Sequence, residues 1–417
     1  MNAEIIAVGS EMLTPERVDT NSLYLTGELN RIGVEVVAKA VIGDDRDLLA
    51  AAVRGALARS PLVILTGGLG PTEDDVTRAA AAQALGRELV FSPEIAEALE
   101  RRFARAGRKM APINRRQAFV IQGAEVLPND RGTAPGLWIE ESGAALMLLP
   151  GPPHELKGMF ESQCLPRLTH MVPGEAIHTL ALRVAGMGES DLDQLIAPVY
   201  TKYRNPATTI LAANGEIQVH LRARCSSPEK ADALLAEVAG PIEQLLGDRV
   251  YSRNGDPLEV VVGGLLRARR ATVAVAESCT GGMLGERFTS VPGSSEYFAG
   301  GFITYTDAMK VELLGVSPET LVRFGAVSRE AAEAMAMGAL RRAGAAYALS
   351  VTGVAGPDAP AGSGGEPPAV GTVWVGLAGP SGVSASRRVF LGDRQRIRIL
   401  AVHTALDLLR RLLAGLP

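Results

Sequence analysis

A run of small polar residues, Ala276-Glu277-Ser278-Cys279-Thr280-Gly281-Gly282, contains side chains that can act as nucleophiles. The alternating apolar residues 271–275 before it indicate a buried strand, and residues 283–288 after it indicate a helix. The hydroxyl and thiol groups therefore lie on a predicted strand-to-helix turn, which the two glycines allow to be tight. Free N–H groups at the start of that helix can face an anion or a developing oxyanion. A plain turn of small residues that serve packing is the alternative.

Hydrolysis through a nucleophilic side chain needs a nucleophile, a base with a pKa near neutral, an oxyanion site and a proton for the leaving group. Ser278 is the candidate nucleophile, and Lys310 is its candidate base if burial lowers the pKa of that lysine. Tyr305, shortly before Lys310, can relay a proton or hold the lysine. One hydroxyl and two backbone N–H groups are candidates for the oxyanion site: Thr352, Gly281 and Gly353. The alternative for Lys310 is a solvated lysine at the start of a helix.

A second glycine-rich turn, residues 66–77, follows the apolar strand Leu62-Val63-Ile64-Leu65. Its glycines predict N–H groups that cradle a phosphate. The consecutive acids Glu73, Asp74 and Asp75 would repel a phosphate. A divalent cation could bind both the carboxylates and the phosphate, and so allow the two to lie close together. The alternative is that Thr72 caps a helix whose first turn carries acids that favour the helix dipole.

Composition restricts the class of protein. The chain has 417 residues, which suggests two to four domains, and its net charge of −4 gives no basic field for nucleic acid. Its three cysteines have no paired spacing, which indicates a reducing compartment. The N-terminus lacks the pattern of a signal peptide, and no apolar stretch reaches the ~20 residues of a membrane helix. We therefore expect a cytoplasmic protein with no membrane partner.

The elements that must position these turns divide the chain into three predicted domains. Alternating strands and helices in residues 1–170 predict a parallel or mixed sheet covered by helices, with ligands beyond the strand ends. A βαββα order in residues 171–252, with a hairpin at Asn214-Gly215, predicts a small α+β module. Residues 253–417 predict an α/β domain whose last helix begins near residue 396. The fold class is therefore α/β.

The C-terminal domain resembles the CinA C-terminal family, the nicotinamide mononucleotide (NMN) deamidases. The resemblance rests on the Ser-Cys-Thr-Gly-Gly turn, Tyr305 before Lys310, the Gly-x-Ala-Gly-Pro turn from Gly353, and the Gly-Asp-Arg start of the last helix. It implies a Ser278–Lys310 pair with no metal or other cofactor. It also implies an NMN-binding set, with the two arginines at the phosphate: Cys279, Thr280, Gly281, Gly282, Gly353, Arg394 and Arg398.

The N-terminal domain resembles the molybdopterin-binding fold in the version found at the N-terminus of CinA proteins. In that family it is linked to divalent-metal-dependent ADP-ribose pyrophosphatase activity. The resemblance implies metal candidates Glu11, Asp74 and Asp75. It implies a nucleotide- and phosphate-binding set: Asn21, Gly67, Gly68, Gly70, Thr72, Gly132, Thr133 and Gly151. The middle module resembles the KH-like domain of full-length CinA proteins. It lacks the Gly-x-x-Gly loop, so we expect a spacer or dimer contact rather than nucleic-acid binding.

Two hypotheses follow. One is a homodimeric, bifunctional enzyme of pyridine-nucleotide salvage that converts NMN to nicotinate mononucleotide and ammonia, and ADP-ribose to AMP and ribose 5-phosphate. The other is a nucleotide-binding scaffold with little catalysis, linked to competence or recombination, which the family name suggests.

Overall fold

The computed structural model describes residues 1–141, 143–172, 174, 176–213, 215–358 and 368–416. Its contacts group the chain into two compact units, one of Met1–His178 with Ala223–Ala233 and one of Thr179–Arg222 with Leu234–Pro417. The second unit therefore holds strands of the middle module together with the C-terminal domain. Asn214 of the predicted hairpin lies outside the described residues.

The N-terminal domain is a mixed sheet with helices. Its elements are β1 Asn2–Val8, α1 Thr20–Arg31, β2 Glu35–Ile42, α2 Arg46–Arg59, β3 Leu62–Thr66, α3 Thr77–Leu85, β4 Leu89–Phe91, α4 Pro93–Arg105, β5 Phe119–Ile121, β6 Glu125–Leu127, β7 Gly136–Glu141, β8 Ala144–Leu149, α5 Pro153–Met159 and α6 Leu165–Met171. A π-helical turn at Phe160–Cys164 separates the last two helices. Six strands form one sheet in the order β2-β1-β3-β8-β7-β6, whose first four strands are parallel.

Both faces of this sheet are buried. Ile64 packs into one apolar cluster with α1 and α5, and its neighbour Val63 packs into the other with α2 and α3. Side chains alternate between the faces of a strand, so a strand covered on both sides must be apolar throughout. That requirement explains the uninterrupted Leu62-Val63-Ile64-Leu65 run and confirms the predicted mixed sheet.

The middle module has the predicted βαββα order and adds a short strand. Its elements are β9 Ala176–Val184, α7 Glu189–Tyr200, β10 Ala207–Ala213, β11 Glu216–Cys225, α8 Pro228–Leu246 and β12 Val250–Ser252. The sheet order is β10-β11-β9-β12, with β10 antiparallel to β11 and β12 antiparallel to β9.

The C-terminal domain has a five-stranded sheet in the order β14-β13-β15-β16-β17. Its elements are α9 Leu258–Arg269, β13 Val273–Glu277, α10 Met283–Thr289, β14 Phe298–Ile303, α11 Asp307–Leu314, α12 Pro318–Phe324, α13 Arg329–Ala343, β15 Tyr347–Gly353, β16 Thr372–Gly379, β17 Gly382–Val389 and α14 Arg394–Ala414. Strands β14, β13 and β15 are parallel, with β14 at the edge, and β16 and β17 run antiparallel. The parallel strands therefore end at one edge, where the predicted catalytic turns lie.

The alternation of valine and alanine in β13 assigns its two faces. Val273 and Val275 pack with α9 and α14, whereas Ala274 and Ala276 pack against α13. Small side chains on the second face let the alanine-rich α13 approach the sheet closely. Among the helices that the structure describes, none combines the length and apolar character needed to cross a lipid bilayer.

Helix α1 has a side-chain cap, whereas the helix cap considered as the alternative at Thr72 does not form. The cap of α1 is Asp19, whose carboxylate accepts the N–H of Ser22. Helix α3 begins at Thr77, so Thr72 and the acids that follow it lie in the preceding turn. Thr72 does not cap this helix, and its hydroxyl donates instead to the Asp75 carboxylate, 2.6 Å away.

Candidate functional site

Ser278 is held at the end of β13 by the strands on both sides of it. Its N–H donates to Val351 O at 2.9 Å, and Thr304 N–H donates to Glu277 O at 2.7 Å. Gly281 and Gly282 follow with φ of 58° and 100°, a region that other residues rarely adopt. The two glycines therefore let the chain turn at once from the strand into α10. Ser278 is 8% exposed, so its hydroxyl is nearly enclosed.

The carboxylate of Glu277 accepts the backbone N–H groups that open α10. Its oxygens lie 3.0 Å from Gly282 N, 3.0 Å from Leu284 N and 2.8 Å from Gly285 N. Glu277 is 1% exposed, and these bonds compensate its buried charge. The predicted anion site at the start of this helix is therefore already filled by the protein's own carboxylate. The N–H of Gly281 is also used, because it donates to Ser278 O at 3.2 Å.

The structure brings Ser278 and Lys310 together. Nζ of Lys310 lies 3.4 Å from Ser278 Oγ, 3.5 Å from the main-chain oxygen of Tyr305 and 3.5 Å from Oδ1 of Asp307. Lys310 is 1% exposed, although it lies in the first turn of α11. Burial lowers the pKa of Lys310, and the Asp307 carboxylate opposes that shift. This lysine is therefore not the solvated helix-start residue that was the alternative.

Cys279 and Thr280, the neighbours of Ser278, are both buried. Burial raises the pKa of the Cys279 thiol to about 11, so the thiol carries its proton at neutral pH. A protonated thiol is a poor nucleophile, which leaves Ser278 as the better candidate in this turn.

Two arginines of α14 lie beside the catalytic turn. Arg394 donates to the hydroxyl of Tyr305 at 3.1 Å and to Gly356 O at 2.6 Å. Arg398 donates to Thr280 O at 2.7 Å, and its Nε has no hydrogen-bond partner among the described residues. The Tyr305 hydroxyl therefore contacts Arg394, and only its main-chain oxygen contacts Lys310.

The oxyanion role predicted for Thr352 conflicts with its hydrogen bond. Its hydroxyl donates to Ala326 O at 2.7 Å, which uses the one proton that an oxyanion could receive. Gly353 lies in β15, where a Cβ would approach Thr372 O to 2.8 Å. The Thr352 hydroxyl is therefore not free to donate to an oxyanion, and Gly353 is required by the close packing of β15 against β16.

In the N-terminal domain, most of the predicted phosphate-binding residues line a cavity of about 530 Å³. The cavity includes Asn21, Gly67, Gly68, Gly70, Thr133 and Gly151. Its charged lining consists of Glu11, Arg17, Asp19, Asp75 and Glu155. Four acids and one base make this cavity repulsive to a bare phosphate. Gly132 lies instead along a neighbouring cavity of about 420 Å³, which Thr133 also lines.

Asp75 closes the glycine-rich turn from within. Its carboxylate accepts the N–H of Gly70 at 2.7 Å, and the N–H and hydroxyl of Thr72 at 2.8 and 2.6 Å. A Cβ on Gly70 would lie 2.4 Å from this carboxylate, so the turn requires glycine there. Buried Arg78 donates to the carbonyls of Leu69 and Gly70 from the other side. The N–H groups predicted for phosphate at Gly70 and Thr72 are thus taken by Asp75.

The structure does not bring the predicted metal ligands together. Asp74 is exposed and does not line the cavity, and both oxygens of Asp75 accept protein hydrogen bonds. Glu73 forms an exposed pair with Arg116 at 2.5 Å. Within the described ranges, no group of three or more His, Cys, Asp or Glu residues is arranged to hold a metal ion. Glu11 and Asp75 both line the cavity, but Asp74 does not, and the Asp75 carboxylate is already used by the turn.

Asn21, Gly151 and Thr133 have structural partners. The Asn21 amide donates to Gly151 O, and a Cβ on Gly151 would lie 3.2 Å from Gly67 Cα. Thr133 accepts from Gln117 at 3.1 Å.

Four residues that shape the two sites were not predicted from the sequence: Glu277, Asp307, Arg78 and Gln117. A signal for Glu277 was available, because an acid at the end of a strand and six residues before the first residue of the next helix can accept the N–H groups that open that helix.

The chain matches three family models along its length. Residues 4–170 match the "Probable molybdopterin binding domain", residues 179–252 the "Damage-inducible protein CinA KH domain", and residues 255–413 the "CinA C-terminal domain". A solved Klebsiella pneumoniae structure of the competence-damaged protein (CinA) superfamily is 34% identical, with a TM-score of 0.36 over 38% of this chain and 96% of that chain.

Two curated relatives match from end to end. The CinA-like protein of Solibacter usitatus is 69% identical over 100% of this chain and 99% of its own length. The CinA-like protein of Koribacter versatilis is 47% identical over 99% of each chain. With all three domains matched in order and such identity over the full length, the chain belongs to the CinA family.

Proposed function

We propose that the C-terminal domain hydrolyses the carboxamide of NMN to give nicotinate mononucleotide and ammonia. The observation that carries the proposal is the 3.4 Å separation of Lys310 Nζ and Ser278 Oγ, in a setting that lowers the pKa of the lysine. A buried lysine with a lowered pKa gives up its proton more readily than a solvated one, so beside a serine it is suited to act as the base that activates the hydroxyl. The family resemblance supplies the identity of the substrate.

The Ser278–Lys310 pair accounts for the proton transfers of the reaction. Ser278 Oγ bonds to the carboxamide carbon while Lys310 takes the hydroxyl proton. The C–N bond then breaks, and Lys310 returns the proton to the departing ammonia. Water cleaves the acyl-serine ester by the same base, which releases the carboxylic acid and restores the serine hydroxyl.

We assign the oxyanion site to the backbone N–H groups of Cys279 and Thr280. Hydrogen bonds within the described residues already take the other N–H groups of the turn, those of Ser278, Gly281, Gly282 and Met283. Donors on the residues that follow a nucleophile are well placed for the oxygen of the tetrahedral intermediate. The phosphate of NMN is assigned to Arg394 and Arg398, because both carry guanidinium groups next to this turn.

We further propose that the N-terminal domain hydrolyses ADP-ribose to AMP and ribose 5-phosphate with the help of a divalent cation. The cavity of about 530 Å³ is within the size range of small-molecule sites. Its four lining acids would repel a pyrophosphate, so a bound cation must offset the charge. Because Glu11, Asp74 and Asp75 do not assemble, we assign no coordination set.

Ammonia release from NMN by the purified full-length protein tests the first proposal, and AMP release from ADP-ribose tests the second. We expect the protein to catalyse both reactions. A variant altered in the C-terminal site should lose ammonia release alone, and a variant altered in the N-terminal site should lose AMP release alone. Tight binding of both nucleotides without turnover would instead support the nucleotide-binding scaffold.

A further inference from the structure

A buried cluster of charged side chains connects the middle module to the helices of the C-terminal domain. Glu216, the first residue of β11, lies at its centre. Its carboxylate contacts Arg183 of β9 at 2.5 Å, Arg287 of α10 at 3.6 Å and His403 of α14 at 3.5 Å. Glu259 of α9 completes the cluster with a 2.6 Å bond to Arg287. One carboxylate of the middle module thus contacts two separate helices of the C-terminal domain.

This cluster lies in a largely desolvated setting. Glu216 is 8% exposed, and Glu259 and His403 are also buried. Burial lowers the pKa of His403 to about 4, with Arg287 and Arg183 acting in the same direction. The imidazole is therefore neutral near pH 7, and its contact with Glu216 is not an ion pair. Among the described residues, Arg183 and Arg287 are the cations that contact Glu216, and Arg287 also pairs with Glu259, so removing the Glu216 charge leaves both arginines short of a partner.

The chain next to Glu216 fits closely against α14. Gly215 has a φ of +82°, and a Cβ there would lie 2.8 Å from Leu400 and 3.4 Å from His403. Glycine is therefore required both by the backbone conformation and by the close approach. The contact gives the first half of α14 a fixed neighbour in the middle module.

Both helices that Glu216 contacts adjoin the proposed NMN site, and α14 carries two of its residues. Helix α10 begins at Met283, directly after the Ser278 turn, and α14 begins with Arg394 and Arg398. Arg398 lies five residues before His403 on the same helix, and it donates to Thr280 O. A shift of α14 would therefore move the two guanidinium groups relative to the turn.

The catalytic pair is anchored elsewhere. Ser278 is fixed by the pairing of β13 with β15, and Lys310 by α11, neither of which contributes a residue to the cluster. A disturbance at Glu216 should therefore reach the phosphate-binding arginines more than the Ser278–Lys310 pair.

We propose that Glu216 of the middle module is a positioning residue for the C-terminal site, where it sets α14 so that Arg394 and Arg398 hold the substrate phosphate. This inference rests on the proposed NMN deamidation. It makes the middle module part of the substrate-binding apparatus and not a spacer.

The test compares Glu216→Gln with the wild-type full-length protein. We expect the KM for NMN to rise roughly tenfold, within the range of couplings carried by packed networks, while kcat stays within about twofold. Glu216→Asp keeps the charge and should recover part of the lost affinity. The matched control is Glu237→Gln, an exposed acid of the same module that pairs with Tyr203 and should leave both constants unchanged.

The readouts separate the possible failures. A wild-type protein that neither cleaves nor binds NMN defeats the proposed function itself. If the wild type is active and Glu216→Gln keeps the wild-type KM, or loses kcat as much as it gains KM, the positioning role is wrong. If Glu216→Gln does not fold, Glu216→Asp is tested in its place. The Kd for NMN is then measured by calorimetry for Ser278→Ala with and without Glu216→Asp. An unchanged constant there overturns the inference.

Discussion

The side chains of Lys310 and Ser278 meet at 3.4 Å although they come from different secondary-structure elements, 32 residues apart in the chain. The strand order explains the contact. Strand β14 is parallel to β13 and adjacent to it, so the segment after β14 returns to the same sheet edge as the Ser278 turn. Helix α11 then starts above that edge and directs Lys310 inward. The predictions below for the C-terminal domain concern the two members of this pair and their neighbours.

Ser278→Ala should abolish NMN deamidation, whereas Cys279→Ala should leave most of it. We expect a loss of at least ~10³-fold for the alanine at Ser278, as for other nucleophiles held by a base. Cys279 is buried and its thiol is protonated, so its removal should cost little in the chemical step. Ammonia release at saturating NMN is the measurement. If the cysteine variant is the inactive one, the nucleophile is assigned wrongly.

Asp307→Asn should move the acid side of the pH–rate profile to lower pH. Lys310 must be neutral to act as a base, so kcat/KM rises as the pH passes its pKa. The Asp307 carboxylate, 3.5 Å from Nζ, stabilises the charged lysine and raises its pKa. Without that charge, burial lowers the pKa of Lys310 further, and the rise in kcat/KM moves to lower pH. Glu312→Gln, an exposed acid of the same helix, is the control and should leave the profile in place.

A profile of Asp307→Asn that coincides with the wild type would mean that Lys310 is not the group that titrates. A shift to higher pH would contradict the proposed role of the carboxylate. Either result would leave the Ser278→Ala prediction untouched, because that prediction depends on the nucleophile alone.

The turns of this protein could be predicted from sequence, but the contacts inside them could not. The Ser278 turn and the glycine-rich turn before α3 lie where the apolar strands end, as expected. In both turns, however, an acid of the chain takes the N–H groups that seemed free for an anion: Glu277 in one and Asp75 in the other. Glu277 reaches its donors across Gly281 and Gly282, whose φ values are positive, whereas Asp75 reaches Gly70 and Thr72 across a turn without an intervening glycine. The backbone path of each turn therefore decides which N–H groups an acid can reach, and that path is not contained in the spacing of the residues.

A fragment that begins at residue 253 should still deamidate NMN, since Ser278 and Lys310 belong to that domain. It would lack Glu216 and Arg183, so Arg287 and Glu259 would keep only each other as partners. We therefore expect a kcat near that of the whole chain and a KM raised as in Glu216→Gln. A folded fragment with no activity would show that the site borrows catalytic groups from the remainder of the chain.

The N-terminal reaction should require a divalent cation, and Asp75 should matter to it far more than Glu73. Chelator should stop AMP release from ADP-ribose, and added metal should restore it, because the acid-lined cavity repels a bare pyrophosphate. Asp75 holds the turn through Gly70 and Thr72, and Asp75→Ala would leave these donors unpaired. We expect a loss of roughly 10²-fold from the displaced turn.

Glu73 gives the matched comparison, since it lies two residues away and pairs only with Arg116 at the surface. An exposed ion pair of this kind contributes little to stability, so the rate of AMP formation by Glu73→Ala should stay within about twofold of the wild-type rate. Rates of AMP formation for the two variants, each with and without chelator, complete the experiment. Full activity in chelator would remove the cation from the mechanism. Equal rates for Asp75→Ala and the wild type would show that the closed turn is not needed for catalysis, whereas no AMP from the wild type would leave this domain as a nucleotide-binding module.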